Sequence, residues 1–394
     1  MAFTSGTATD HLDLLEKLRL WLIGTAGWTQ KSYTEASKQA TAQAINGGGN
    51  AYTVNDILTL VGGAFSTATQ LKVTSVSGGV ITGISLQTAG VYSVAPSNPV
   101  SCTGGTGNSA TFNMTYSYIQ TNTSQLFMEG PGNGGTSKVY VNIVTENNSG
   151  SNFYSWGVYG ATAYTAAVSA GSQPNAGGPV YFNLTQTAVS YWFYGNSRHF
   201  RIEVKASTNY MSMYAGFMLP FALPSEYPQP MVIIASYPTM TTPGFANARN
   251  SMVVDPGADG AAKYLTRGTN IWRNVENQAS NAAGNFPKTG QRAFIWPHKT
   301  GSGLGTTTTT GTADWNSGGI NNIKRNFNNE SPLLQAHIID EVAGTVVMAL
   351  DGCFSTTGFG RTTEQLLTLG GRTFRLFQRV GRANPGDFWA SEEV

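Results

Sequence analysis

The feature that most constrains the fold of this chain is the alternation of apolar and polar residues over short runs. In Phe200–Lys205, Phe, Ile and Val alternate with Arg, Glu and Lys, which predicts a strand with one buried and one solvent-facing side. Residues 206–209 then predict a turn, and the apolar positions of 211–217 predict the inward face of a return strand. Similar runs recur at 139–143 and 154–158. We therefore predict a mainly β fold with an antiparallel β-sandwich or jelly-roll-like body.

One segment near the N-terminus indicates a helix instead. Asp10 and Asp13 are typical of a helix start, where carboxylates accept hydrogen bonds from free N–H groups, and Gly24 is a suitable end. Apolar residues spread nearly all round this short amphipathic helix. We therefore expect some of them to meet a neighbouring subunit, with packing on the chain's own core as the alternative. The expected interface residues are Leu14, Leu20, Trp21 and Ile23.

A glycine-rich module is predicted between residues 47 and 118. This segment contains one acid, Asp56, and one base, Lys72. Strands are predicted at 51–60, 71–76, 80–86 and 110–116. Gly78 and Gly79 favour a tight hairpin, since glycine accepts the positive φ that such turns require. The glycine runs at 47–50 and 104–107 predict turning segments that set a small β domain apart from the rest.

The complete domain prediction divides the chain into five parts, and the fourth is rich in Asn, Gly and Thr. Such a long loop-rich stretch favours an interface role. Leu366–Leu369 and Arg372–Phe377, separated by Gly370 and Gly371, predict a two-residue hairpin in the last part. The parts are 1–46, N-terminal helix and arm; 47–118, Gly-rich β module; 119–238, β-sandwich core; 239–330, loop-rich interface region; and 331–394, C-terminal β segment.

The composition excludes several classes of protein. Only 44 of 394 residues are charged, and the formal net charge is +2, so the chain lacks the field of a nucleic-acid binder. Two distant cysteines indicate neither a disulfide framework nor a zinc site. The start of the sequence lacks a secretory signal pattern, and no apolar run is long enough to span a membrane. We expect synthesis in the cytoplasm and no membrane insertion.

Residues of the types that catalyse reactions or bind metal ions are sparse. The histidines, at positions 11, 199, 298 and 337, have no metal-binding or catalytic spacing. We therefore predict no catalytic residue, no cofactor and no metal ion. If a hidden glycan or hydrolytic site exists, the loop-rich part is where it would form. Its members would be Asp255, Asp259, His298 and Asp314.

Two clusters of side chains are interpreted as parts of the fold rather than as binding sites. The arginines of the C-terminal segment do not share one face of a strand, so a solvated or salt-bridged hairpin surface is preferred over a partner site. They are Arg361, Arg372, Arg375, Arg379 and Arg382. The aromatic run Tyr191–Tyr194 places two rings on each face of a strand, which predicts that at least half belong to the core.

Several segments together resemble a family of tailed-bacteriophage virion structural proteins associated with the tail or baseplate. The resemblance covers most of the chain outside 47–118. It concerns fold and assembly, and it implies no catalytic residue. The segments that carry it are Met1–Asp10 with the helix, Leu126–Gly132 with Val139–Ile143, Tyr191–Asn196 with 200–220, Leu350–Phe354 and Leu367–Gln378.

The resemblance implies a non-enzymatic structural component of a phage virion, assembled in the host cytoplasm as a homo-oligomer with other virion proteins. Two alternatives stay open. One is a receptor-binding fibre or spike adhesin that contacts host surface polysaccharide during host attachment, and the other is a head or collar decoration protein. A depolymerase is disfavoured because the sequence lacks the long repeats of a β-helix.

Overall fold

The structure is a computed structural model, and it describes residues 1–133, 137–148, 153–235, 262–275, 293–296, 332–340, 345–356, 358, 360–378 and 388–393. The chain divides into two compact units. We call Met1–Tyr33 with Gln125–Val394 the body, and Thr34–Ser124 the insert. The insert contains the predicted module 47–118 and also takes in residues on both sides of it.

The described residues form strands and one α-helix, with a single 3-10 turn at Ala170–Ser172. The body begins with β1 (Ala2–Ala8), α1 (His11–Gly24) and β2 (Thr29–Thr34). The insert holds β3 (Lys38–Asn50), β4 (Ile57–Leu60), β5 (Ala64–Thr67), β6 (Gln70–Ser77), β7 (Val80–Thr88), β8 (Val91–Val94), β9 (Val100–Thr103) and β10 (Asn108–Tyr118).

The body continues with seventeen described strands. They are β11 (Gln125–Gly130), β12 (Val139–Asn148), β13 (Phe153–Ala161), β14 (Gly177–Leu184), β15 (Val189–Gly195), β16 (His199–Ala206), β17 (Asn209–Phe217), β18 (Leu219–Pro220), β19 (Met231–Ile234), β20 (Ala262–Leu265), β21 (Trp272–Val275), β22 (Ala293–Trp296), β23 (Leu334–Asp340), β24 (Thr345–Thr356), β25 (Leu366–Leu369), β26 (Arg372–Gln378) and β27 (Phe388–Glu392). The prediction of a mainly β fold is confirmed.

Helix α1 begins and ends where the sequence predicts. The Asp10 carboxylate accepts hydrogen bonds from the N–H groups of Leu12 and Asp13, both at 2.9 Å. The Asp13 carboxylate in turn accepts from the N–H of Thr9 at 2.8 Å. These reciprocal bonds satisfy donors that a helix start leaves free, and they fix the first turn.

The body is a sandwich of two sheets. The smaller sheet has the order β14-β13-β12-β11-β2, and one of its faces shares a hydrophobic core with β16, β17 and β19 of the larger sheet. Helix α1 closes this core, with Trp21 against Phe193 at 5.6 Å between ring centres. The inward residues of the strands predicted at 139–143 and 211–217 all belong to it, as do Trp156 and Val158 of the strand predicted at 154–158.

The larger sheet has the order β1-β15-β16-β17-β19-β20-β21-β22-β23-β24-β27-β26-β25, with β18 beside β24. It is curled into a half-barrel, and a second core of aromatic and aliphatic side chains fills the curl. Strands β15 to β17 are therefore buried on both faces. The expectation that the charged side of Phe200–Lys205 faces water is wrong for Arg201 and Glu203, which are 0% and 1% exposed. The rest of the curl covers them.

The insert is an eight-stranded sheet of order β5-β8-β3-β10-β9-β4-β6-β7 around its own core. The hairpin at Gly78 and Gly79 is confirmed, with φ of 59° and 80°. Two other predictions for this segment are wrong. Residues 51–60 are not one strand, because Ala51 and Asn55 adopt positive φ and only Ile57–Leu60 is extended.

The glycine run at 47–50 does not turn the chain but continues β3 alongside β10. The reason is close packing, since a Cβ on Gly48 would lie 2.6 Å from the carbonyl oxygen of Ile81. At the base of the insert its two ends meet. The N–H of Ala36 donates to Ser124 Oγ at 2.9 Å, and the N–H of Ile119 donates to the carbonyl of Ser37 at 2.8 Å.

The C-terminal hairpin is also confirmed. Leu369 pairs with Arg372, and Gly370 and Gly371 have φ of 57° and 77°. Of the predicted loop-rich region 239–330, the structure describes 262–275 and 293–296. These segments contribute β20, β21 and β22 to the large sheet rather than a free loop.

Candidate functional site

The four residues expected at an assembly interface divide into two pairs. Leu14 is fully buried and Trp21 is 7% exposed in the core that α1 shares with the sandwich. Leu20 and Ile23 are 54% and 41% exposed. Because α1 lies on its own body, Leu14 and Trp21 serve the fold, and the apolar surface that α1 offers to a partner consists of Leu20 and Ile23.

The most unusual polar feature of the described chain is a buried cluster inside the curl of the large sheet. Arg201 on β16 donates from Nη1 to the carbonyl of Gly352 on β24 and from Nη2 to the carbonyl of Glu392 on β27, at 2.5 and 2.9 Å. Its guanidinium also lies 4.9 Å from the ring centre of Tyr194. Arg201 therefore joins strands that lie far apart along the sheet.

Glu203 makes the same connection two residues further along β16. Its Oε1 accepts hydrogen bonds from Trp389 Nε1 at 3.1 Å and from Ser391 Oγ at 2.9 Å, both on β27. Burial raises the pKa of Glu203 to about 8, even though these donors and Arg201 lower it. We call Arg201, Glu203 and their partners on β24 and β27 the polar clasp, because they hold the curl closed.

His199 lies beside the clasp and is fully buried. Its ring stacks on Tyr214 with 4.8 Å between centres and 2° between planes. Burial, with the positive charges of Arg201 and Arg198, lowers its pKa well below the ordinary value. Its Nδ1 is 3.7 Å from the Asp351 carboxylate, which is bound by Arg198 at 3.0 Å. A neutral, stacked imidazole of this kind is a packing group.

The cysteine of this cluster is not an activated nucleophile. Burial raises the pKa of the Cys353 thiol to about 12, whereas reactive cysteines have lowered pKa values and partial exposure. Arg201 and the backbone of β24 surround the sulfur. The polar clasp thus joins β16 to β24 and β27 through Arg201 Nη1, Arg201 Nη2 and Glu203 Oε1, while Arg201 Nε and Glu203 Oε2 are buried without a hydrogen-bond partner among the described residues.

The other predicted candidates have diverse outcomes. His11 lies within the helix and hydrogen-bonds Asn147 at 2.8 Å, and burial lowers its pKa to about 4. His337 stacks on Phe221 at 5.8 Å. Within the described ranges no group of three His, Cys, Asp or Glu is placed to hold a metal ion. The possible hidden site cannot be placed, because all four of its members lie outside the described residues. They are Asp255, Asp259, His298 and Asp314.

Two of the C-terminal arginines, Arg372 and Arg375, are salt-bridged on the hairpin surface, as the preferred interpretation held. Arg372 forms a bidentate ion pair with Glu392, through Nε and Nη2. Arg375 donates from Nε to Glu393 at 2.6 Å and from Nη1 to the carbonyl of Glu364 at 3.0 Å. Arg379 and Arg382 lie outside the described residues. These ion pairs connect β26 to Glu392 at the end of β27 and to Glu393 just after it. Arg201 and Glu203 of the polar clasp also hydrogen-bond to β27.

Comparison with known proteins adds no relative: no known family and no curated protein sequence matches this chain. Among the helices in the described part of the chain, none has the length and apolar character needed to cross a membrane.

Proposed function

We propose that this protein is a non-enzymatic structural component of a tailed-phage virion, most specifically of the tail or baseplate. The observation that carries the proposal is the position in the fold of the segments that resemble that family. Every one of them falls in the body, and none falls in the insert.

Those segments are also neighbours in the fold, although they are far apart in sequence. Residues of Met1–Asp10 form β1, which pairs along its length with the strand of Tyr191–Asn196, so that Phe3 lies opposite Tyr194. Leu126–Gly132 likewise pairs with the strand that starts at Val139. Resembling segments that are scattered along the chain thus pair with one another within the body, and this supports the proposal that the body has the fold of that family.

The polar groups of the body support a structural role. Arg201 of the polar clasp and the ion pairs of Arg372 and Arg375 use their charges to bind strands to one another, and Glu203 joins strands as a hydrogen-bond acceptor. Leu20 and Ile23 offer α1 an apolar contact for a neighbouring subunit. A protein that joins a rigid particle benefits from such cross-sheet closure, because its bonds resist the opening of the curl.

The insert favours receptor binding as a second candidate. It folds around its own core, and its ends meet at Ala36 and Ser124. Because such a module has its own core, it can be inserted into the chain without changing the fold of the body. In this alternative the insert contacts host surface polysaccharide, and the body provides attachment to the particle.

Quantitative mass spectrometry of purified virions tests the virion assignment. We expect the chain to copurify with infectious particles in several copies per particle, at a ratio to the major tail proteins that stays fixed through density-gradient fractions. Recovery only from the soluble lysate would contradict the proposal. For the second candidate, antibodies against the insert would block adsorption to the host, whereas antibodies against the body would not.

A further inference from the structure

The outward face of the five-stranded sheet carries a group of side chains that the virion assignment does not use. Glu146 on β12, Tyr159 on β13 and Tyr181 on β14 converge above Gly157. A Cβ at Gly157 would lie 3.5 Å from Tyr159 Cε2, 3.5 Å from Tyr181 Cε1 and 3.7 Å from Glu146 Oε1. The missing side chain of Gly157 thus leaves two aromatic rings and a carboxylate around one point.

The register of the sheet produces this arrangement. Gly157 lies between Val144 on β12 and Tyr181 on β14. Tyr159 and Glu146 are each two residues further along their strands, so both project from the same face as Gly157. One atom of each ring and one carboxylate oxygen therefore lie within 3.7 Å of the same point above Gly157.

Tyr159 is held in place from its far side. The segment 162–176 folds over this face, and a Cβ at Gly171 would lie 3.4 Å from Tyr159 Cε1. Gln173 fixes that segment by hydrogen bonds to the N–H and carbonyl of Thr165 and to the carbonyl of Val168. The ring is therefore positioned before any ligand arrives, which reduces the entropic cost of binding.

The carboxylate of Glu146 lacks a counter-charge. It has no ion pair or hydrogen bond in the described part of the chain, and burial alone raises its pKa. Burial likewise raises the pKa of Tyr159 to about 12, so this hydroxyl is neutral at pH 7. Half-buried carboxylates normally have a partner, because removal of a charge from water is costly.

We propose that Glu146, Tyr159 and Tyr181 form a binding site for an organic ammonium ion. Ring faces attract cations, and aromatic cages recognise quaternary ammonium groups, while Glu146 supplies the opposite charge. A hard metal ion does not fit this set, since calcium and magnesium require several oxygen ligands and only one carboxylate is present. This inference does not depend on the virion assignment.

Isothermal titration calorimetry on the full-length protein tests the site, with choline as the probe at constant ionic strength. The neutral isostere 3,3-dimethylbutan-1-ol is the matched control ligand. We expect saturable choline binding and at least tenfold weaker binding of the isostere. Equal binding of the two, or no saturation by choline, would overturn the proposal, and this comparison needs no variant.

Variants then locate the site. Glu146→Gln should weaken choline binding about tenfold, since it removes the charge and keeps the shape. Tyr159→Leu should weaken it about three- to fivefold, while Tyr159→Phe, which keeps the ring, should bind as the wild type does. Glu226→Gln, at a carboxylate already paired with Arg267 at 3.0 Å, is the control. Unchanged binding in folded Glu146→Gln would place the ligand elsewhere and refute the assignment.

A comparison of ligands identifies the source of the ammonium group. Tighter binding of choline than of N-acetyl-lysinamide would indicate a quaternary ammonium compound, and the reverse order would indicate a lysine side chain of a partner protein.

Discussion

The stability of the body should fall as the pH rises from 6.5 to 8, and Glu203 should be the cause. In the folded protein, burial raises the pKa of Glu203 from its ordinary 4.5 to about 8. Between these values the folded state holds a proton that the unfolded chain has released. The free energy of unfolding therefore decreases with pH across this interval, and the stabilisation is complete only below 4.5.

Buried histidines oppose this trend at lower pH. The pKa of His11 falls from its ordinary 6.5 to about 4, and that of His199 falls well below 6.5. Near neutral pH both are protonated only in the unfolded chain, so they make stability rise with pH as the unfolded histidines lose their protons. Half of each unfolded histidine is still protonated at pH 6.5 and about a tenth at pH 7.5, so they offset part of the Glu203 decline at first, and Glu203 sets the slope above about pH 7.5. At about 1.4 kcal/mol per pH unit, the loss between 6.5 and 8 is about 2 kcal/mol at most.

Urea unfolding followed by tryptophan fluorescence measures this slope. All eight tryptophans lie outside residues 34–124, so the signal reports on the body alone. Glu203→Gln retains an acceptor for Trp389 and Ser391 but does not titrate, so its unfolding free energy should show no decline from pH 6.5 to 8 and should rise slightly below about pH 7.5 as the unfolded histidines lose their protons. Glu226→Gln is the control and should keep the wild-type slope. An equal decline in Glu203→Gln and wild type would refute the argument.

Three further predictions concern assembly and folding. Replacement of residues 37–123 by a short Gly-Ser linker should leave the tryptophan-monitored unfolding cooperative, because the ends of the insert meet, and a gradual transition would contradict this. Arg201→Met should lower the unfolding free energy by about 3 to 5 kcal/mol, since it leaves polar partners buried without a donor; a urea-unfolding loss below about 1 kcal/mol would argue against the polar clasp. Leu20→Ser with Ile23→Ser should leave the melting temperature unchanged but reduce incorporation into particles, and normal incorporation would exclude α1 as an assembly contact.

Features that depend on neighbouring residues were predictable from the sequence. The cap at Asp10 and the hairpins at Gly78 and Gly370 are fixed by groups within a few residues, so residue type alone indicates them. The glycine run at 47–50 was misinterpreted for a physical reason. Glycine suits a turn and also suits a strand that passes close to another backbone, and only the tertiary contact with Ile81 distinguishes the two.

The polar clasp was not predictable because it depends on the curl of the sheet. The alternation in Phe200–Lys205 correctly separates two faces, but it does not reveal that β24 and β27, more than a hundred residues later, cover the charged one. The only signal was the scarcity of charge, which makes a charged pair within an apolar strand unusual. The ammonium site was hidden for a similar reason, since Glu146, Tyr159 and Tyr181 meet only once the register of three strands is known.

The measurement that tests the proposed virion role most directly is a cryo-electron microscopy reconstruction of phage particles from a source whose genome encodes this chain. We expect density for the sandwich and the curled sheet in symmetry-related copies within the tail or baseplate, with Leu20 and Ile23 of α1 against a neighbouring subunit. A complete reconstruction of the tail and baseplate in which every density is accounted for by other proteins would contradict the assignment.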